Sequence, residues 1–138
     1  MFFDSNILLY GVDDKEPGKQ SQAQPLLVKH YAAEQAVIST QVLQEFYNIA
    51  TGKLRIHPER AARLAREYAS AQVVQVTPSL IFDAMERHQN GGFSFWDALI
   101  VEAALLGGCA VLYSEDMQDG QTINGLTIRN PFVGAPHA

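Results

Sequence analysis

Short apolar runs alternate along this chain with longer stretches in which apolar residues recur every three or four positions. Residues 1–3 are long enough for a very short strand, and Ile7, Leu8, Leu9 and Tyr10 continue as a helical turn that stops near Gly11. The polar run over residues 13–18, with Pro17 and Gly18, predicts a loop. Residues 22–34 space Leu26, Leu27, His30 and Tyr31 as a helix does, and a second strand follows at 36–38. Ser39 or Thr40 stands where it can cap a helix whose apolar face is Val42, Leu43, Phe46, Tyr47 and Ala50, with Glu45 beside that face.

His57-Pro58 and Thr77-Pro78 both read as helix starts, because proline at the first helical position gives up only an N–H that has no partner there. A third strand at 73–76 lies between them. The helix after Thr77 carries Leu80, Ile81, Ala84 and Met85 and ends at Asn90-Gly91-Gly92. Ser94 caps the next, whose face of Leu99, Ile100, Ala103 and Ala104 runs to Gly107-Gly108. Residues 110–113 form a fourth strand, and the Asn124-Gly125 turn leads into a fifth at 126–128. This alternation predicts the α/β class: a three-layer α/β/α domain with a mainly parallel sheet of four to five strands, spanning residues 1–138 as one unit.

The length of 138 residues suits one domain with a real core. No apolar stretch reaches the roughly 18 residues needed to span a bilayer, and the N-terminus lacks a signal-peptide pattern, so the expected location is the cytoplasm. The formal charge of −5 argues against gathering nucleic acid over the whole surface. Lys53, Arg55, Arg60, Arg63 and Arg66 form the basic cluster and read as a solvated helix face, with phosphate contact as the alternative. Cys109 is expected as a small apolar residue rather than a reactive thiol. His30, His57, His88 and His137 lack zinc-ligand spacing.

Four acids change this picture. Asp4, Glu45, Asp97 and Asp116 each sit where an apolar segment begins or ends. Parallel strands share one carboxyl edge, so acids at strand ends and helix starts can converge there. Each has a local alternative: Asp4 as a turn residue, Glu45 as an exposed helix acid, Asp97 as the capping-box partner of Ser94, Asp116 as a cap of the turn after the fourth strand. Those alternatives do not explain why all four mark one predicted edge. Convergent carboxylates repel unless a cation intervenes, and hard oxygen ligands select Mg²⁺ or Mn²⁺ over zinc.

The stretches Phe3-Asp4-Ser5-Asn6-Ile7-Leu8, Gln44-Glu45-Phe46, Phe95-Trp96-Asp97-Ala98-Leu99 and Tyr113-Ser114-Glu115-Asp116-Met117 resemble, in order and spacing, the four acidic motifs of the PIN-domain nucleases, and most closely the VapC-type toxins of bacterial toxin–antitoxin pairs. The resemblance extends over essentially the whole chain, including the tail at 125–132. It implies a PIN-like fold and a Mg²⁺-dependent endoribonuclease leaving 5′-phosphate and 3′-hydroxyl ends. It implies metal ligation by Asp4, Asp97 and Asp116, with Glu45 as a ligand or as the acid that orients metal-bound water. Asn6 and Ser114 match supporting positions, and Asp119 is an optional further carboxylate. Glu115 stands where relatives often carry a basic residue or asparagine, which implies a more acidic rim.

An RNA substrate, a cognate antitoxin and a homodimer are the partners the resemblance implies. The antitoxin groove is expected around Phe46, Tyr47, Ile49, Leu54 and Ile56, and Trp96 is expected in the core, with stacking on a base as its alternative role. A phosphoacceptor receiver domain fits poorly, because only Asp4 ends the first strand and Asn130-Pro131 stands where a lysine would precede proline. A haloacid-dehalogenase-like phosphatase needs a second aspartate where Asn6 stands. The closer alternative is a catalytically inert PIN-fold module that binds RNA or a partner without cleaving.

Overall fold

The computed structural model describes residues 1–133; residues 134–138, with His137 among them, lie outside it. The chain runs β1 (Phe2–Phe3), α1 (Ser5–Val12), α2 (Pro17–Ala32), β2 (Val37–Ser39), α3 (Thr40–Thr51), α4 (Pro58–Tyr68), β3 (Gln72–Val74), α5 (Pro78–Gln89), α6 (Phe95–Leu106), β4 (Val111–Tyr113), β5 (Thr122–Ile123) and β6 (Leu126–Arg129). Side-chain caps set most of the helix starts. Asp4, Ser39, Thr77 and Ser94 accept backbone N–H groups of the first turns of α1, α3, α5 and α6, and Pro58 and Pro78 open α4 and α5 as their positions predict.

Two boundaries differ from the sequence expectation. α2 begins at Pro17 instead of residue 22, since that proline also takes the first helical position, and the loop before it shrinks to 13–16. Pro25 lies inside α2 on its exposed side, where the lost backbone bond faces water. The sheet has six strands instead of four to five, because Asn124 and Gly125 both adopt positive φ (49° and 85°) and turn β5 back onto β6 as a tight hairpin.

Strand order is β3-β2-β1-β4-β6-β5, parallel throughout except for β5. The chain builds outward from β1 through β2 to β3, then returns to place β4 on the other side of β1. The gap between the carboxyl ends of β1 and β4 is therefore a topological switch point, where open α/β sheets place their ligands. Both faces of the sheet are covered. Phe2 and Phe3 point to opposite sides and neither is exposed. Phe3 stacks on its neighbour Tyr113 (5.4 Å) and meets Tyr31 and His30 of α2. Phe2 pairs in register with Val37, whose side chain would lie 3.0 Å from any Cβ placed on Gly107, so the end of α6 covers that face.

His30 behaves as a core aromatic: it is buried, neither ring nitrogen has a hydrogen-bond partner among the described residues, and burial lowers its pKa. On α3, Val42, Phe46 and Ala50 are buried, but Tyr47 is 42% exposed, which removes it from the expected apolar face. Cys109 is half-buried, and burial pushes its thiol pKa up. Lys53, Arg55, Arg60, Arg63 and Arg66 are all exposed, and among the described residues none forms an ion pair. No helix among the described residues is long and apolar enough to cross a membrane.

Candidate functional site

Asp4 leaves β1 at the switch point, where its own N–H donates to the Tyr113 carbonyl (3.0 Å) and extends the β1–β4 ladder by one step. One carboxylate oxygen, Oδ1, accepts the Ser5 N–H (2.7 Å) and caps α1, while Oδ2 accepts the Ser114 hydroxyl (2.8 Å). Asp4 is 6% exposed. Burial pushes its pKa up to about 7; the bonds from Ser114 and Ser5 oppose the rise, and the charges of Glu45 and Asp116 add to it.

The turn after β4 is bound to the same point. Ser114 is fully buried, and its oxygen also accepts the Asp116 N–H (3.3 Å). Asn6, in the first turn of α1, donates from Nδ2 to Asp116 Oδ2 (3.1 Å) and accepts the Glu115 N–H at Oδ1 (3.3 Å). Asn6 and Ser114 therefore tie Asp4 and Asp116 together from both sides, which is the supporting position the resemblance implies.

Glu45 and Asp97 approach from α3 and α6. Glu45 is half-buried, and its Oε1 is shielded from water with no hydrogen-bond partner among the described residues. Burial raises its pKa, the Gln41 amide one helical turn earlier opposes this, and Asp97 and Asp116 add to it. Asp97 takes part in the helix cap, its backbone N–H donating to Ser94 Oγ (3.1 Å). Its carboxyl pKa too is raised by burial, with the Asp116 charge adding and Ser94 opposing.

The charge of Asp116 thus reaches Asp4, Glu45 and Asp97, and Glu45 lies within reach of the charges of Asp97 and Asp4. As they stand, no three Asp, Glu, His or Cys side chains among the described residues converge closely enough to hold a metal ion. The donor set nevertheless suits a hard divalent cation: it is all oxygen, it includes a shielded carboxylate oxygen without a donor among the described residues, and Asp4, Glu45 and Asp97 are raised in pKa by burial and by neighbouring carboxylates. Like charges at this spacing resist closer approach until a counter-charge sits between them.

Three sequence expectations take a different form here. Asp119 is exposed and accepts the Asn130 N–H (2.8 Å), which ties it to the tail after β6. Glu115 does not acidify the rim as expected, because Lys19 Nζ donates to its Oε1 (2.9 Å), the Tyr10 hydroxyl donates to the same atom (3.2 Å), and the pair lies beside Phe132. Trp96 is not in the core: it is 66% exposed. Sequence reasoning passed over Gln41, although its place four residues before Glu45 puts both on one helix face.

A family model described as PIN domain matches residues 1–118. No curated protein matches the chain. Among solved structures, the chain is similar to VapC20 of Mycobacterium tuberculosis, titled a sarcin–ricin loop cleaving toxin, at 21% identity and a TM-score of 0.60, covering 87% of this chain and 90% of that one. A toxin–antitoxin complex from Klebsiella pneumoniae is similar at 21% identity and a TM-score of 0.65, covering 94% and 96%. VapBC2 from Rickettsia felis, bound to a DNA fragment from its promoter, is similar at 15% identity and a TM-score of 0.61, also covering 94% and 96%. At these identities the likeness is one of fold.

Proposed function

This chain belongs to the PIN-domain family, and from that premise we propose that it is a divalent-metal-dependent endoribonuclease, the toxin of a toxin–antitoxin pair. The observation that carries the reading is that Asp4, Glu45, Asp97 and Asp116 lie around the β1/β4 switch point within reach of neighbouring carboxylate charge, with three of them raised in pKa by burial and by those charges. Asp4, Asp97 and Asp116 would hold Mg²⁺, with Mn²⁺ as a substitute. When bound, the ion supplies a water of lowered pKa and a counter-charge for the phosphoryl oxygens.

The chain's own residues do the rest. Glu45, with raised pKa and a free Oε1, is suited to take the proton of the attacking water. Asn6 and Ser114 fix the orientation of Asp116 and Asp4, and no protein nucleophile is needed. Hydrolysis in this sense leaves a 5′-phosphate and a 3′-hydroxyl.

Ser114→Ala removes a donor to Asp4 Oδ2 and the acceptor of the Asp116 N–H. Its expected effect is a drop in Mn²⁺ affinity of about 10–100-fold, read by calorimetric titration at pH 7. An unchanged affinity would place the ion away from Asp4.

We assign the antitoxin a different surface from the one the sequence suggested. Phe46 is buried, and Ile49, Leu54 and Ile56 are half-buried against the core, so the expected groove is largely filled. A cleft of about 470 Å³ between α1, α2 and α4, lined by Gly11, Leu27, Val28, Tyr31 and Tyr68, offers the better seat for an apolar helix face. A homodimer and a cytoplasmic location belong to the same proposal.

The test is incubation of total RNA with purified protein, freed of partner, in Mg²⁺, Mn²⁺ or EDTA, with Asp97→Asn as the control for contaminating nuclease. Discrete cuts that need metal and vanish in the variant are the expected result. The wide spacing of the acids favours one rival, an inert PIN-fold binding module. Absence both of cuts and of Mn²⁺ binding by the folded protein would select it.

A further inference from the structure

We propose that Trp96 is a stacking platform that holds an unpaired nucleobase of a single-stranded RNA beside the acidic site. The inference rests on the nuclease reading and names how that site would grip its substrate.

Four observations carry it. Trp96 leaves 66% of its surface in water although it lies in the first turn of α6, directly before Asp97. Its ring is braced rather than loose, since Phe95 meets it edge-on at a centroid distance of 5.2 Å. Its carbonyl accepts Gln41 Nε2 (3.4 Å), which ties the platform's backbone to α3 one turn from Glu45. Gln41 is only 6% exposed, yet among the described residues its Oε1 has no donor, and neither has Glu45 Oε1. Two shielded acceptors on α3, next to the helical turn that carries an exposed, braced indole, mark a place that a ligand completes.

Charge argues for stacking as the means of grip. A chain of net charge −5 cannot collect RNA by bulk attraction, and the acids repel phosphate until a cation is present. A neutral aromatic face binds a base without an electrostatic term and without regard to sequence. An unpaired base offers both of its faces, whereas a base inside a duplex offers none.

Trp96 is the sole tryptophan, so its fluorescence reports on the site alone. The Glu45→Gln variant, which keeps the three aspartates that would hold Mg²⁺ and should bind without cutting, is titrated in Mg²⁺ with a single-stranded RNA of mixed sequence, a duplex of the same strand, and an abasic strand. Saturable quenching by the single strand, with little from the duplex or the abasic strand, is the expected result. In cleavage assays with otherwise native protein, Trp96→Ala should raise KM about tenfold with kcat nearly unchanged, and Trp96→Phe should recover most of the loss.

Binding of the strand, followed by the anisotropy of a labelled 5′ end, without any change in tryptophan emission would overturn the proposal. So would a blue shift that grows with protein concentration in the absence of RNA, because the indole would then be covered by a second copy of the chain. If native protein cuts RNA and Trp96→Ala cuts it equally well, the platform falls and the nuclease reading stands. If native protein neither cuts nor binds RNA, both fall.

Discussion

Asp4→Asn is expected to abolish RNA cleavage and, in the same protein, to raise the stability of the metal-free fold at pH 8. The two effects have one origin. Folding takes the Asp4 carboxyl from a pKa of 3.8 to about 7, chiefly because the group is buried. Between those values the folded state binds more protons than the unfolded state, so stability is highest below pH 4, declines as pH rises through the window, and stays low above about 7. A shift of that size corresponds to a penalty on the order of 4 kcal/mol at pH 8.

Asparagine carries no charge and can still cap α1 through the Ser5 N–H. The expected rise in Tm is roughly 5–10 °C at pH 8 in EDTA, shrinking towards zero near pH 4, as read by scanning calorimetry. Mn²⁺ should stabilise the native protein and leave the variant unmoved. Cleavage should fall by more than the 10–100-fold that is typical of losing a ligand's supporting hydrogen bond. An unchanged or lowered Tm at pH 8 would show that Asp4 carries no such penalty. The expected rise would mean that the metal-free site gives up stability that its ligand restores, a common cost of building function into a fold.

Phe46→Ala should cost about 3–5 kcal/mol, a large part of the roughly 5–15 kcal/mol by which a domain of this kind is stable. Phe46 is fully buried and meets the Tyr68 ring edge-on at 5.2 Å. The Tyr68 hydroxyl in turn donates to the Leu8 carbonyl (2.9 Å), so one side chain joins α1, α3 and α4. The cavity would also loosen the helix that carries Glu45. Tyr47→Ala, one residue on, should cost far less than Phe46→Ala, about 0.5 kcal/mol, because that side chain is 42% exposed and lies off the buried face of α3. Urea denaturation of both variants checks the pair; equal losses would mean that α3 is rotated from the orientation described.

The sequence by itself determined whatever depends on neighbours along the chain. The period of apolar residues separated strands from helices, and Ser39, Thr77 and Ser94 marked helix starts because a cap acts within three residues of itself. Asp4, Asp97 and Asp116 were readable as neighbours for a related reason: parallel strands bring their carboxyl ends to one edge, and these acids stand at two strand ends and a helix start, whereas Glu45 lies in the second turn of α3 and approaches them through packing alone. Pro17 misled because proline signals both a loop and a helix start, and only the packing of α2 against α1 chose between them.

The tertiary structure alone decided which side of each helix faced the core and which distant charges met. It turned Tyr47 and Trp96 outward, since a period of 3.6 residues does not say where an apolar stripe ends. It joined Lys19 to Glu115, 96 residues apart, and so neutralised a charge that looked free. It brought Ser114 to Asp4 across 110 residues and withdrew both from water. Burial and long-range pairing set the energies of charged groups, and neither is a property of the residues that flank them.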